Sequence, residues 1–108
     1  MCIMKNYCVK KYSVEQLDEG QEALSRLIRE KKRTRISFNH YVERVDECER
    51  MIKLNEEMRE SLNEGAYLRN KDSYESDMSD FKKIAVRLLG NIENIEKEIE
   101  RVREKYCL

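Results

Sequence analysis

The imidazole and thiol side chains that are typical of zinc sites and of thiol chemistry are few in this sequence. They are one histidine and four cysteines: His40, Cys2, Cys8, Cys48 and Cys107. Zinc sites are usually built from pairs of ligands separated by roughly two to four residues. The closest two cysteines here have five residues between them. The spacing therefore predicts no metal site, and we expect no cofactor.

The same cysteines leave disulfide chemistry open. An antiparallel helical hairpin could bring an N-terminal segment near Cys107, whereas a cytoplasmic setting would keep the thiols reduced. Cys48 lies on an apolar helical stripe, where cysteine behaves as a small hydrophobic residue. We therefore interpret Cys48 as a packing residue.

Acidic side chains are abundant, but their arrangement does not suggest general acid–base catalysis. Glu93, Glu96 and Glu100 alternate with Lys97 and Arg101 at helical spacings of three and four residues. Ordinary ion pairing on a helix surface accounts for such a pattern, and catalytic carboxylates need a cleft that excludes water. The sequence also lacks a glycine-rich phosphate loop and a nucleophile elbow. We predict that the protein is not an enzyme.

The strongest local charge cluster is basic and runs from Arg29 to Arg35. It is consistent with a patch for an acidic partner or for nuclear import, or with an ordinary solvated helix face. No aromatic residue lies between Tyr12 and Phe38, which argues against base stacking with nucleic acid. The candidate partner-binding residues are Leu24, Arg26, Arg29, Lys32, Arg33 and Arg35.

Composition indicates what kind of scaffold carries these residues. The chain has 108 residues, 41% of them charged, with a formal net charge of zero, three glycines and no proline. Charges spread over every segment are typical of long solvated helices, and the absence of net charge removes a general attraction to nucleic acid or anionic membranes. No apolar run is long enough to span a bilayer or to resemble a secretory signal. We expect a soluble cytoplasmic protein.

A heptad seam dominates the C-terminal third. Apolar residues alternate at intervals of four and three residues: Tyr74, Met78, Phe81, Ala85, Leu88, Ile92, Ile95, Ile99, Val102 and Tyr106. This spacing keeps one narrow stripe facing a partner helix, so it predicts a single helix over 74–106 with coiled-coil-like packing. Such regular periodicity also argues against disorder.

The first helical region is predicted to start at Ser13, because Ser13 and Gln16 have the spacing of a capping box. Residues 1–12 are predicted to be a flexible leader, and 13–108 a single α-helical domain. Gly20 lies early in this helix and suggests a close helix contact or a weak point. Cations interrupt the apolar stripe after Ile28, so the helix either continues to about residue 63 or bends near Ser37. The absence of Pro and Gly between residues 21 and 64 favours continuity.

The break between the helices is predicted at 64–72, with Gly65 as a left-handed C-cap. A short connection forces the helices antiparallel, giving an all-α helical hairpin or a three-helix bundle. A first helix of some fifty residues would overhang a second of thirty-three by roughly 25 Å. That overhang would need cover from a bend, a second copy of the chain or another protein, so the protein could be a monomer or a homodimer.

The first helix resembles the opening helix of the tubulin-folding cofactor A family, also called tubulin-specific chaperone A. The resemblance lies in Gln16-Leu17-Asp18, Ala23-Leu24, Arg26-Leu27 and Arg29-Glu30, and in Tyr67 within the predicted loop. It implies a cytoskeletal chaperone that binds β-tubulin folding intermediates without nucleotide or metal, and it implies a three-helix bundle. The alternative function is a coiled-coil adaptor or structural subunit of a larger protein assembly. Both are protein–protein interaction functions, with no nucleic acid and no membrane.

Overall fold

The computed structural model describes residues 12–108, and two long helices account for most of them. Helix α1 spans Val14–Glu57 and helix α2 spans Glu64–Tyr106. The helices pack against each other, and the described residues contain no strand. The prediction of an all-α helical hairpin is therefore confirmed. Residues 12–108 contain no third helix of the kind that the alternative bundle requires.

The capping box at the start of α1 is present. The backbone N–H of Ser13 donates to Gln16 Oε1 at 2.9 Å, and the N–H of Gln16 is 3.2 Å from Ser13 Oγ. Two N–H groups that have no partner within the helix are thereby satisfied. This reciprocal pair fixes the residue at which α1 begins.

The inner face of α1 follows the heptad period without interruption. Its buried and half-buried residues recur at intervals of three and four: Leu17, Gly20, Leu24, Leu27, Lys31, Thr34, Phe38, Tyr41, Val45, Cys48, Ile52 and Asn55. Lys31 and Thr34 occupy the cationic interruption seen in the sequence and keep the period, and α1 is one continuous helix through Ser37. The Thr34 hydroxyl donates to the Glu30 carbonyl at 2.9 Å, which satisfies it within the helix. The predicted continuity is confirmed.

The turn between the helices lies earlier than predicted. Helix α1 ends at Glu57, residues 58–62 form turns, and α2 already begins at Glu64. Asn63 acts as the N-cap of α2, because its Oδ1 accepts a 2.7 Å hydrogen bond from the Ala66 N–H. Gly65 lies inside the first turn of α2 and has no positive φ. The predicted loop at 64–72 and the predicted left-handed cap at Gly65 are both wrong.

The corrected turn also removes the predicted overhang. Helix α1 has 44 residues and α2 has 43, so neither helix greatly exceeds the other in length. The error arose because α2 was expected to start at residue 74, ten residues too late. Near the start of α1, Leu17 and Leu24 are half-buried, whereas Val14 is exposed.

The seam of α2 is confirmed along its whole length. Every one of its ten apolar residues is buried or half-buried, and Ile92, Ile95 and Ile99 are among the most buried residues of the chain. The seam also continues toward the start of α2 through Lys71 and Tyr67. Tyr67, expected in a loop, is only 2% exposed and is the largest fully buried side chain of the described residues.

The described chain divides into two compact units. The terminal unit comprises residues 12–35 and Gly90–Leu108, and the turn unit comprises Ile36–Leu89. In the terminal unit, the ring of Tyr106 lies against Gly20, and its centroid is 5.4 Å from that of Tyr12. The close helix contact suggested by Gly20 is therefore present. In the same unit, Lys31 Nζ and Arg35 Nη2 are 3.3 and 3.9 Å from Glu96 Oε1.

The chain ends bear on two further predictions. Of the predicted leader, only Tyr12 is described, and residues 1–11, with Cys2 and Cys8, lie outside the described residues. Cys107 is disulfide-bonded, and Cys48 is a free, buried cysteine. Cys107 has a φ of 58°, and the Leu108 N–H donates to the Arg103 carbonyl at 2.9 Å, which closes α2.

Neither helix of the described chain combines the length and apolarity needed to cross a membrane.

Candidate partner-binding surface

The predicted partner-binding residues do not form one surface. Leu24 is half-buried on the inner stripe of α1, and the five cations are exposed: Arg26, Arg29, Lys32, Arg33 and Arg35. Arg35 shares Glu96 with Lys31. The other four have no carboxylate within 4.0 Å among residues 12–108. Leu24 therefore serves packing, while these cations remain available to solvent.

Two of these cations have acidic neighbours. Arg26 and Arg29 line an open hollow on α1 together with Asp18, Glu19 and Glu22. The hollow thus presents both signs of charge, which gives little selectivity for an acidic partner.

A more specific surface lies in the turn unit, close to the turn between the helices. We name it the turn groove; its lining residues are Met51, Leu54, Asn55, Met58, Leu62, Asn70 and Tyr74, around a hollow of about 120 Å³. Met51, Leu54 and Asn55 share one face of α1, because Leu54 and Asn55 are three and four residues after Met51. Met58 lies in the turn just after α1, and its N–H donates to the Leu54 carbonyl at 3.0 Å. Met51, Leu54 and Met58 are exposed although they are large and apolar.

The base of the turn groove is polar and fully hydrogen-bonded. Asn55 is buried, and its Nδ2 donates to the Tyr67 carbonyl at 3.1 Å. Its Oδ1 accepts from Asn70 Nδ2 at 3.2 Å. In the described residues no buried side-chain nitrogen or oxygen is left without a partner. Because buried amides impose specific pairing, this network fixes α1 against α2 beneath the groove.

The side chain of Tyr67 adds a second set of contacts in the turn unit. Its hydroxyl donates to Glu56, and the Arg59 guanidinium carbon lies 4.5 Å from its ring centroid. Two effects raise the pKa of the Tyr67 phenol above its ordinary value: the larger is the hydrogen bond to the Glu56 carboxylate, and the next is burial. The neutral phenol is thus the form that the folded protein favours.

This shift predicts a loss of stability at high pH. The contribution of Tyr67 is complete below the pKa of the unfolded chain, about 10, and disappears as the pH rises through the higher folded pKa. We expect Tyr67→Phe to be less stable than the wild type at pH 8 and to show a shallower decline above pH 10. Urea titrations at a series of pH values measure both effects. Parallel declines in the two proteins would contradict the assignment.

The structure gives Cys48 no sign of a reactive thiol. Burial raises the pKa of the Cys48 thiol, and the negative charges of Asp77 and Glu47 raise it further, against the opposing effect of Arg44. A reactive cysteine needs the opposite environment. The packing interpretation of Cys48 therefore agrees with its surroundings. Among residues 12–108 no group of three or more His, Cys, Asp or Glu side chains could hold a metal ion.

Sequence reasoning missed the turn groove, although a signal for it was present. Four apolar residues of the groove, Met51, Leu54, Met58 and Leu62, were assigned to the apolar stripe of the first helix, and Tyr74 was assigned to the seam. Met51 immediately precedes Ile52, which belongs to the inner stripe, and Met58 lies seven residues after Met51. Such a second apolar row beside a heptad seam is wider than a two-helix contact can bury.

The fold defines a class of protein, a two-helix antiparallel hairpin with an exposed apolar groove beside its turn. Comparisons of this chain with protein-family models, with curated proteins and with solved structures found no match. The resemblance to tubulin-folding cofactor A stays a prediction.

Proposed function

We propose that this protein is a non-enzymatic coiled-coil adaptor that binds a segment of another protein in its turn groove. The observation that carries the proposal is the exposure of Met51, Leu54 and Met58 beside a rigid, hydrogen-bonded base. Methionine adapts to irregular apolar surfaces, and clustered apolar side chains on a highly charged chain favour a protein partner. The fixed base lowers the ordering cost of binding.

The hairpin architecture is compatible with both candidate functions. The resemblance to cofactor A implies a three-helix bundle, and residues 12–108 contain two helices of nearly equal length. The adaptor is preferred because of the exposed apolar side chains that line the turn groove.

The proposal predicts the effect of charging the groove. The double variant Leu54→Lys/Met58→Lys is expected to lose at least about tenfold in partner retention, because a lysine ammonium is costly to desolvate against apolar side chains. Both side chains are exposed, so the variant should fold. The measurement compares immobilised wild type and variant as baits for extracts of the native host, with quantitative mass spectrometry as readout.

Leu68→Lys provides the matched control for this experiment. Leu68 is an exposed leucine of the same unit and does not line the groove. It should retain the partner that the groove variant loses. Equal retention by the wild type and the groove variant would refute the groove as the binding surface.

β-Tubulin is a second candidate partner, favoured by the resemblance and by the exposure of Arg26, Arg29 and Arg33 on α1. If this function is correct, immobilised protein retains purified β-tubulin folding intermediates, and reversing these three charges to glutamate weakens capture by an acidic tubulin surface. Failure to retain β-tubulin at micromolar concentrations would exclude this candidate. The adaptor function would be unaffected by that result.

A further inference from the structure

Two segments of the turn unit stand out because they lack acidic residues. Asp and Glu together account for 22 of the 108 residues, yet none occurs in 36–42 or 81–89. The second segment contains Lys82, Lys83 and Arg87. In a chain of zero net charge, these segments form a local basic region.

The structure brings the two segments together within the turn unit. The ring centroids of Tyr41 and Phe81 are 5.9 Å apart, which pairs α1 and α2 at this level. Val42 follows Tyr41 and Lys82 follows Phe81, so both flank the seam. Residues that directly follow equivalent heptad positions lie on the same side of an antiparallel pair.

Two further aliphatic residues complete this side of the pair. Leu89 follows the seam residue Leu88, one heptad after Lys82, and Val86 lies one helical turn from both Lys82 and Leu89. We name these four residues the acid-free face: Val42, Lys82, Val86 and Leu89.

Three residues of the acid-free face are exposed aliphatic side chains, and the cations on or beside the face have no carboxylate partner among the described residues. The exposed fractions are 39% for Val42, 70% for Val86 and 43% for Leu89. Lys82, Lys83 and Arg87 are exposed, and none has a carboxylate within 4.0 Å in the described part of the chain. A two-helix contact needs only the narrow seam, whereas a helix with an additional apolar row beside the seam is typical of a bundle of three or more helices.

We infer that the acid-free face binds an acidic amphipathic helix supplied by a partner protein. Apolar side chains of that helix would pack among Val42, Val86 and Leu89, and its carboxylates would pair with Lys82, Lys83 and Arg87. The face carries no exposed Trp, Phe or Tyr of the kind that anchors interfacial helices in lipid, which favours a protein over a membrane. The inference rests on the proposed protein-binding function and uses a surface separate from the turn groove.

To test the inference, the wild-type protein is used to select binders from a phage-displayed library of helical peptides. The library contains acidic, neutral and basic peptides, so the charge of the ligand is not chosen in advance. Enriched peptides should carry a heptad row of apolar residues and a net negative charge. Their affinity, measured by fluorescence anisotropy, should fall at least about tenfold in Val86→Glu, because the new carboxylate repels the ligand and interrupts the apolar row. Val86 is the most exposed of the three aliphatic residues, and circular dichroism confirms that the variant folds.

Two matched variants separate this inference from the proposed function. Leu68→Glu adds the same charge at an exposed leucine outside the face, and Leu54→Lys/Met58→Lys disables the turn groove; neither should weaken the acidic peptides. Peptides lost only in the groove variant would support the adaptor function and overturn the acid-free face. An empty selection, or enrichment of neutral or basic peptides, would also overturn it. The inference would also be overturned if the wild-type protein bound phosphatidylcholine–phosphatidylserine vesicles and Val86→Glu abolished that binding, because the face would then bind a membrane.

Discussion

Replacing Ile95 with aspartate is expected to destabilise the protein by about 4 kcal/mol, a large part of the stability of a domain this size. Ile95 is 8% exposed and lies in the seam of α2 between Ile92 and Ile99, which are also buried. A carboxylate there has no partner, so it must either remain charged in an apolar environment or take up a proton at a pKa far above its ordinary value. Urea denaturation followed by far-UV circular dichroism measures the loss.

Ile36→Asp is the matched control for Ile95→Asp. Ile36 is 64% exposed on α1, so the same substitution there should change the free energy of unfolding by less than about 0.5 kcal/mol. Helix propensity alone affects both variants equally. Equal destabilisation of the two variants would show that the seam is not packed as described.

Alanine substitutions at Gly20 and Gly90 are expected to have opposite signs. A Cβ atom added at Gly20 would lie 2.5 Å from Cγ and 2.7 Å from Cδ2 of Tyr106, distances at which the ring must move. These ring atoms are close to the Tyr106 backbone, so the shift strains α2 as well. We expect Gly20→Ala to cost about 1–3 kcal/mol, the range for overpacking a filled site.

Gly90 lies in α2, and apart from its chain neighbours and the adjacent helix backbone no atom of the described residues is within 4 Å of an added Cβ. Gly90→Ala should therefore stabilise the protein by up to about 1 kcal/mol, because alanine restricts the unfolded chain and favours the helix. Thermal melts of the two single variants measure both effects. Stabilisation by Gly20→Ala would contradict the close approach of Tyr106 to α1.

The regular elements of this fold were predictable because heptad spacing survives occasional polar residues. The seam from Tyr74 to Tyr106 and the capping box at Ser13 follow directly from residue type and spacing. The continuity of α1 followed from the absence of Pro and Gly. Lys31 occupies an inner position through the cationic interruption, and its long aliphatic stem can cover apolar surface while its ammonium reaches Glu96.

The turn was misplaced because Asn63, Glu64 and Gly65 are compatible with two opposite structures. Glycine after a polar residue suggests the end of a helix, while asparagine before an acidic residue suggests the beginning of one. The structure uses Asn63 as an N-cap. The seam itself contained the answer, since Tyr67 lies one heptad before Tyr74.

The turn groove was missed for a related reason. Its base is formed by Asn55 and Asn70, and polar residues beside a seam look like interruptions in a sequence. Only their mutual hydrogen bonding, together with the Tyr67 carbonyl, makes them part of the buried core. Pairing between residues distant in sequence cannot be derived from local periodicity.

Photo-cross-linking in the native host tests whether the turn groove binds another polypeptide. A photoreactive phenylalanine analogue is placed at Leu54, which lines the groove, or at the adjacent Lys53, which does not. Neighbouring positions of a helix face different directions. The two photoreactive side chains therefore lie in the same part of α1 but probe different surfaces. If the turn groove binds another polypeptide, position 54 gives a defined adduct with that polypeptide and position 53 gives little or none. Equal adducts from both positions, or none from position 54, would contradict it.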